Sequence, residues 1–158
     1  MMRHGYPAFT SHVDKLTGDI LAEPDKLGLA ENTIVIFASD NGPFLSYGNH
    51  AGSAGPLREG KLTTFEGGVR VPCLMRWTGT IPAGGVCHEL AATIDLLPTL
   101  ARWAGAELPA LSIAGRDIRP LVLGTPGAKS PHEAYLIYAG DELQAVRSGR
   151  WKLHLKHA

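Results

Sequence analysis

The six residues from Thr33 to Ala38 form a short apolar run that ends in the polar sequence Ser39-Asp40-Asn41-Gly42-Pro43. β-branched and aromatic residues favour a strand, and the nearly continuous apolar character is typical of a strand buried on both faces. Such strands belong to parallel sheets of α/β folds, in which ligands bind beyond the carboxyl ends of the strands. The run therefore predicts a buried strand with a ligand site at its end.

Asp40 and Asn41 lie at that predicted strand end. Carboxylate and amide oxygens are hard ligands of the kind that Ca²⁺ and Mg²⁺ prefer in proteins. A second interpretation is that Asp-Asn-Gly-Pro only forms a turn, because each of these residue types favours turns. The residues alone leave both interpretations open.

A glycine-rich segment follows a loop and contains Gly60-Lys61 and then Glu66-Gly67-Gly68-Val69-Arg70. In order and spacing, this segment and Asp40-Asn41-Gly42-Pro43 together resemble the sulfatase family, arylsulfatase type. Three further stretches extend the resemblance over nearly the whole chain: Asp95–Leu100, Gly115–Asp117 and Val146–Lys152. The resemblance implies an α/β, alkaline-phosphatase-like sulfatase fold that is partial and includes the start of a small antiparallel C-terminal subdomain.

The resemblance also implies roles for individual residues. Asp40 and Asn41 match metal ligands of the family, usually for Ca²⁺, and Lys61 matches the lysine that contacts the substrate sulfate. His4 lies one residue away from the family's histidine, which protonates the leaving oxygen, and a terminal surface histidine is the alternative. His50 precedes Lys61 in the loop, where it either faces substrate or is solvated.

The family's nucleophile is a formylglycine made from the cysteine of a Cys-x-Pro-x-Arg motif, and this chain does not encode that motif. Cys73 is followed by Leu74-Met75-Arg76 and Cys87 by His88-Glu89-Leu90, so neither fits the motif. Both cysteines are interpreted as small buried hydrophobic residues, and a disulfide between them is the alternative. The expectation is a chain equivalent to the second half of an arylsulfatase. Such a chain would be inactive alone, and it would need a missing N-terminal half or associate with itself.

Charge and hydropathy exclude several classes of partner. The 158-residue chain has 15 basic and 15 acidic residues, so it lacks the basic surface that nucleic-acid binding requires. No apolar run is long enough to cross a bilayer, and the N-terminus shows no apolar signal region. Members of the resembled family are often periplasmic, secreted or lysosomal, and the sequence does not choose among these locations.

Hydrophobic spacing predicts a helix over 11–27, kinked or shortened at Pro24 and ended by Gly28. A strand is predicted over 69–77, and a helix capped by Asp95 is predicted to run to Ala104. Three short antiparallel strands are predicted over 134–139, 143–147 and 151–155. The predicted domains are residues 1–125, part of a catalytic α/β domain, and residues 126–158, the start of the small subdomain.

The function implied by the resemblance is metal-dependent hydrolysis of a sulfate ester, carried by a small molecule or a glycan. One alternative is a phosphoester or phosphonate hydrolase of the same superfamily, since these enzymes also bind oxyanions with metal ions. The other is a non-catalytic, truncated half-domain that needs a partner segment.

Overall fold

A computed structural model of the protein describes residues 5–156. The chain divides into two compact units, one ending at Thr80 and the other beginning at Ile81. The predicted division into 1–125 and 126–158 stays a prediction. Between residues 5 and 156, no helix is long and apolar enough to cross a membrane.

The described residues of the first unit, 5–80, form α1 (Gly5–Lys26), β1 (Val35–Ala38), α2 (Glu66–Val69) and β2 (Cys73–Arg76). Helix α1 begins before the predicted position at Ser11 and continues through Pro24 to Lys26. Gly28 ends it as predicted, with a φ of +67° that glycine adopts without steric cost. A short 3₁₀ helix, Leu45–His50, interrupts the long loop before Lys61.

Strand β1 pairs with β2 in antiparallel register, with Val35 opposite Arg76 and Ala38 opposite Cys73. The prediction of a strand buried on both faces is wrong for the described part of the chain, in which Phe37 remains 40% exposed. The Arg76 guanidinium attaches this sheet to α1. It donates hydrogen bonds to the Leu21 carbonyl at 3.0 Å and to both carboxylate oxygens of Asp25 at 2.9 Å.

The second unit contains α3 (Leu96–Ala104), α4 (Arg119–Val122) and the strands β3 (Tyr135–Ala139), β4 (Glu142–Ser148) and β5 (Trp151–His154). The three strands form an antiparallel sheet in the order β3-β4-β5, which confirms the predicted antiparallel region. Gly105, at a φ of +65°, ends α3 as predicted. Helix α4 lies in a segment for which the sequence analysis above predicts no helix or strand.

Asp95 is completely buried in the second unit and accepts hydrogen bonds from three parts of the chain. Its donors are the amides of Ala92 and Arg116 and the imidazole Nε2 of His132, each at 2.8 Å. The predicted cap is wrong in its detail, because the carboxylate forms no capping bond to the amides of α3. Asp95 instead joins the start of α3 to two distant loops.

Candidate functional site

Backbone hydrogen bonds fasten the segment around Asp40 and Asn41 to the segments around Lys61 and Gly68. The Gly42 amide donates to the Gly68 carbonyl at 3.0 Å, and the Lys61 amide donates to the Pro43 carbonyl at 2.9 Å. The Ser39 hydroxyl donates to the Asn41 carbonyl at 2.8 Å, which tightens the turn itself. The structure thus brings together the two motifs that lie 20 residues apart in sequence, from Asn41 to Lys61.

Glycine is required at this junction because main-chain atoms approach where a side chain would begin. A Cβ on Gly42 would lie 1.6 Å from the Gly67 carbonyl oxygen, and one on Gly60 would lie 2.2 Å from the Pro43 oxygen. Cβ atoms on Gly67 and Gly68 would lie 2.0 Å and 2.3 Å from the carbonyl oxygens of Glu59 and Thr63. The glycines in the sequence therefore lie at the positions where backbone segments pack closely against each other.

Left-handed residues bracket the Gly60-Lys61 turn on both sides. Glu59 has a φ of +64° and Leu62 a φ of +73°, conformations that cost a non-glycine residue about 1–3 kcal/mol. The amide and hydroxyl of Thr63 both donate to the Gly60 carbonyl, at 3.2 Å and 2.8 Å. These bonds, together with the Lys61 amide bond, hold the backbone of the turn in place.

Arg58 adds a second cation to the lysine segment, and the sequence analysis assigned it no role. Its guanidinium carbon lies 4.1 Å from the centroid of the Phe65 ring, which is within the range of a cation–π interaction. Its carbonyl accepts a 2.8 Å hydrogen bond from the Gly67 amide. The signal that could have identified it is an arginine two residues before Gly60-Lys61.

The other predicted site residues differ in accessibility. Asp40 is exposed, while Asn41 and Lys61 are partly buried in the junction. His50 is exposed at the end of the 3₁₀ helix. His4 lies outside the described residues. The roles assigned to these residues stay predictions.

The donor chemistry of Asp40 and Asn41 fits part of a calcium site. A carboxylate and an amide oxygen are suitable ligands, but Ca²⁺ takes about 6–8 oxygens. Within residues 5–156, no group of three or more histidine, cysteine, aspartate or glutamate side chains is arranged to hold a metal ion. The chemistry of Asp40 and Asn41 therefore suits part of a calcium coordination shell, and their role as metal ligands stays a prediction.

Both cysteines are free and exposed, so the prediction that they are small buried residues is wrong. Cys73 is on the edge of the two-stranded sheet, opposite Ala38. Although the Cys73 residue is exposed, neighbouring protein atoms displace part of the water around its thiol. This desolvation raises the pKa of Cys73, which disfavours the thiolate and its nucleophilic chemistry.

Comparisons with known proteins agree with this arrangement. The family model described as Sulfatase matches residues 2–106, and a second, described as N-sulphoglucosamine sulphohydrolase, C-terminal, matches residues 60–154. Arylsulfatase A from Bos taurus is 48% identical over 147 residues, which cover 90% of this chain and 28% of that protein.

Two solved structures extend the comparison to the fold. A Pseudoalteromonas sulfatase, PsFucS1, has a TM-score of 0.83 at 36% identity over 90% of this chain and 29% of its own. The second structure, BT4656 in complex with its substrate D-glucosamine-2-N,6-O-disulfate, has a TM-score of 0.61 at 25% identity over 86% of this chain and 28% of its own.

The chain belongs to the sulfatase family. Its structure is part of the alkaline-phosphatase-like fold of the family, with the antiparallel sheet β3-β4-β5 near its C-terminal end. The chain spans about 28% of the length of arylsulfatase A, so the activity of a whole sulfatase is a proposal for it.

Proposed function

We propose that this chain supplies the cation-binding and sulfate-binding part of a sulfuric ester hydrolase. The observation that carries the proposal is the pair of backbone bonds, Gly42 to Gly68 and Lys61 to Pro43, that fastens the oxygen ligands to the lysine turn. A cation and an ammonium group side by side can neutralise the charge of a sulfate ester. The relatives act on sulfated compounds according to their names, which supports a sulfate ester as ligand.

Each residue of the junction has a defined part in this proposal. Lys61 binds the sulfuryl oxygens and opposes the negative charge that grows on them as the ester bond breaks. Asp40 and Asn41 would hold Ca²⁺, which supplies positive charge to the same oxygens when it is bound. The Cys-x-Pro-x-Arg motif is not encoded in this chain, so binding rather than turnover is the measurement that tests its part in the reaction.

We expect Lys61→Ala to weaken the binding of methyl sulfate about tenfold or more, because a charge-assisted hydrogen bond contributes about 1.5–3 kcal/mol. Titrations followed by NMR would measure this in the 158-residue chain. The matched control is Lys15→Ala, which removes a 69% exposed lysine from α1 in the same unit. Equal losses for both variants would attribute the effect to net charge and contradict the proposal.

The calcium part of the proposal has a separate test. We expect weak calcium binding by calorimetry, since water must fill most of a shell of about 6–8 oxygens, and we expect Asp40→Ala to abolish it. Asp14→Ala, which removes an exposed carboxylate from α1, should leave the binding unchanged. Tight binding that survives Asp40→Ala would show that the cation binds elsewhere.

A phosphoester or phosphonate hydrolase of the same superfamily is the second candidate function. Both ester types place oxyanions near a cation and a lysine, but a phosphate monoester carries the larger charge. Titration with methyl phosphate beside methyl sulfate distinguishes the two candidates. Tighter binding of methyl phosphate, lost in Lys61→Ala, would favour the second one.

The proposal includes a complementary protein segment as partner. In the described first unit, Phe37 is 40% exposed and its cross-strand neighbour Leu74 is 61% exposed, an apolar sheet surface of the kind that proteins cover. Self-association through the same surface is the alternative. Sedimentation velocity tests this alternative, because a strictly monomeric chain at high concentration would argue against self-association.

A further inference from the structure

Leu62 combines two unfavourable features at one position. Its side chain is 81% exposed, and its backbone has a φ of +73° in the left-handed region. It follows Lys61 directly in sequence. An exposed leucine alone is common on protein surfaces, but a leucine in a left-handed conformation is not.

A glycine at this position would avoid both the strain of the left-handed backbone and the exposure of an apolar side chain. The left-handed region brings Cβ close to the following carbonyl oxygen in every residue except glycine. The apolar side chain also gains little from folding, because most of its surface stays in water. Strained residues of this kind concentrate at ligand sites, where the neighbouring structure holds them in place.

The surrounding contacts show how Leu62 is held. The Lys61 amide on one side donates to the Pro43 carbonyl, and Thr63 on the other side donates twice to the Gly60 carbonyl. Leu62 therefore extends from a turn with a fixed backbone rather than from a freely moving loop. On the other side of Gly60, the left-handed residue is Glu59, whose carboxylate lies 3.9 Å from Arg58 Nε. The turn thus presents an apolar group on the Leu62 side and charged groups on the Glu59 side.

We propose that Leu62 is a specificity-determining residue that contacts the carbon skeleton of the ester whose sulfate is bound by Lys61. The inference rests on the proposed function. Contact with an apolar alcohol or phenol removes apolar surface of both groups from water, which stabilises the complex. Leu62 therefore favours esters with an apolar leaving group over small or polar ones.

The test compares 4-nitrophenyl sulfate with methyl sulfate, two monoanionic esters that differ in their carbon portion. The wild-type chain should prefer the aryl ester, and both Leu62→Gly and Leu62→Asn should reduce this preference about three- to tenfold. Asparagine tolerates the left-handed region, so it removes the apolar group without demanding the conformational freedom of glycine. Leu62→Gly should in addition raise the melting temperature by about 2–8 °C, because it relieves the backbone strain.

Leu111→Asn is the matched control, since Leu111 is an 80% exposed leucine of the second unit, and it should leave the preference unchanged. An unchanged preference for the aryl ester in both Leu62 variants overturns the inference. In that case, loss of binding of both esters in Lys61→Ala still supports the proposed function. A change in Leu62→Gly but not in Leu62→Asn assigns the effect to the backbone and also overturns the inference. Binding of both esters that persists in Lys61→Ala overturns the proposed function, as does failure of the wild-type chain to bind either ester.

Discussion

Replacement of Gly42 by alanine is expected to destabilise the first unit by about 3 kcal/mol or more, at the upper end of the cost of overpacking. The added Cβ would lie 1.6 Å from the Gly67 carbonyl oxygen and 2.8 Å from the Gly67 carbonyl carbon. Both are main-chain atoms that no side-chain rotation can move. The turn must therefore separate from the Gly67-Gly68 segment, which breaks the Gly42–Gly68 hydrogen bond. Urea unfolding followed by circular dichroism would measure the change.

Gly18→Ala provides a control of the same chemistry in the same unit. Gly18 is an exposed residue inside α1, and a Cβ there would meet no atom within 4 Å. Alanine in a helix interior is more stable than glycine by about 0.5–1 kcal/mol, so this variant should be more stable than wild type. Similar effects of the two substitutions would show that the close approach at Gly42 is not what stabilises the junction.

The family resemblance related the Asp40-Asn41 segment to the Lys61 segment, and the structure fastens their backbones together. Local patterns could not have related the two segments. The residues between Gly42 and Gly60 carry no periodicity that indicates how the chain returns, and the returning contacts are backbone hydrogen bonds. The prediction therefore identified Asp40, Asn41 and Lys61 but not Arg58, whose stacking on Phe65 depends on the folded loop.

The apolar run that led to the strand prediction shows that the sequence alone does not predict how much of a strand is buried. The strand exists at Val35–Ala38, but it pairs with β2 in antiparallel orientation and leaves Phe37 exposed. An uninterrupted apolar sequence indicates what a strand could bury, whereas the actual burial depends on the elements that cover it. The strand predicted over 69–77 was too long for a related reason. Its first residue, Val69, is the last residue of α2, and residues 70–72 lie in neither a helix nor a strand.

In the second unit, the predicted strands were correct because short β-branched and aromatic segments separated by glycine turns are a local signal. The turn between β4 and β5 consists of Gly149 and Arg150, with a φ of +51° at Gly149. The role of Asp95 could not be predicted from a local pattern in the sequence. Its partner His132 lies 37 residues away in the sequence, beyond the reach of any local pattern.

Asp95→Asn is expected to destabilise the second unit by about 2–4 kcal/mol, although the two side chains have nearly the same shape. Asp95 Oδ1 accepts from the Arg116 amide and lies 2.8 Å from His132 Nε2, while Oδ2 accepts from the Ala92 amide. A carboxylate accepts on both oxygens, whereas an amide has one oxygen and one donor group. In either orientation, asparagine points its NH₂ group at a backbone N–H, and at least one buried donor loses its acceptor.

The control for this prediction is Asp141→Asn, the same substitution at an exposed position of the second unit, which should change the free energy of unfolding by less than about 0.5 kcal/mol. A double-mutant cycle of Asp95→Asn with His132→Gln separates the backbone bonds from the imidazole contact, because the residues touch and their effects should not add. If Asp95→Asn were as stable as Asp141→Asn, the three hydrogen bonds would not stabilise the unit. If His132→Gln alone reproduced the full loss, the imidazole contact would dominate, and the bonds from Ala92 and Arg116 would contribute little.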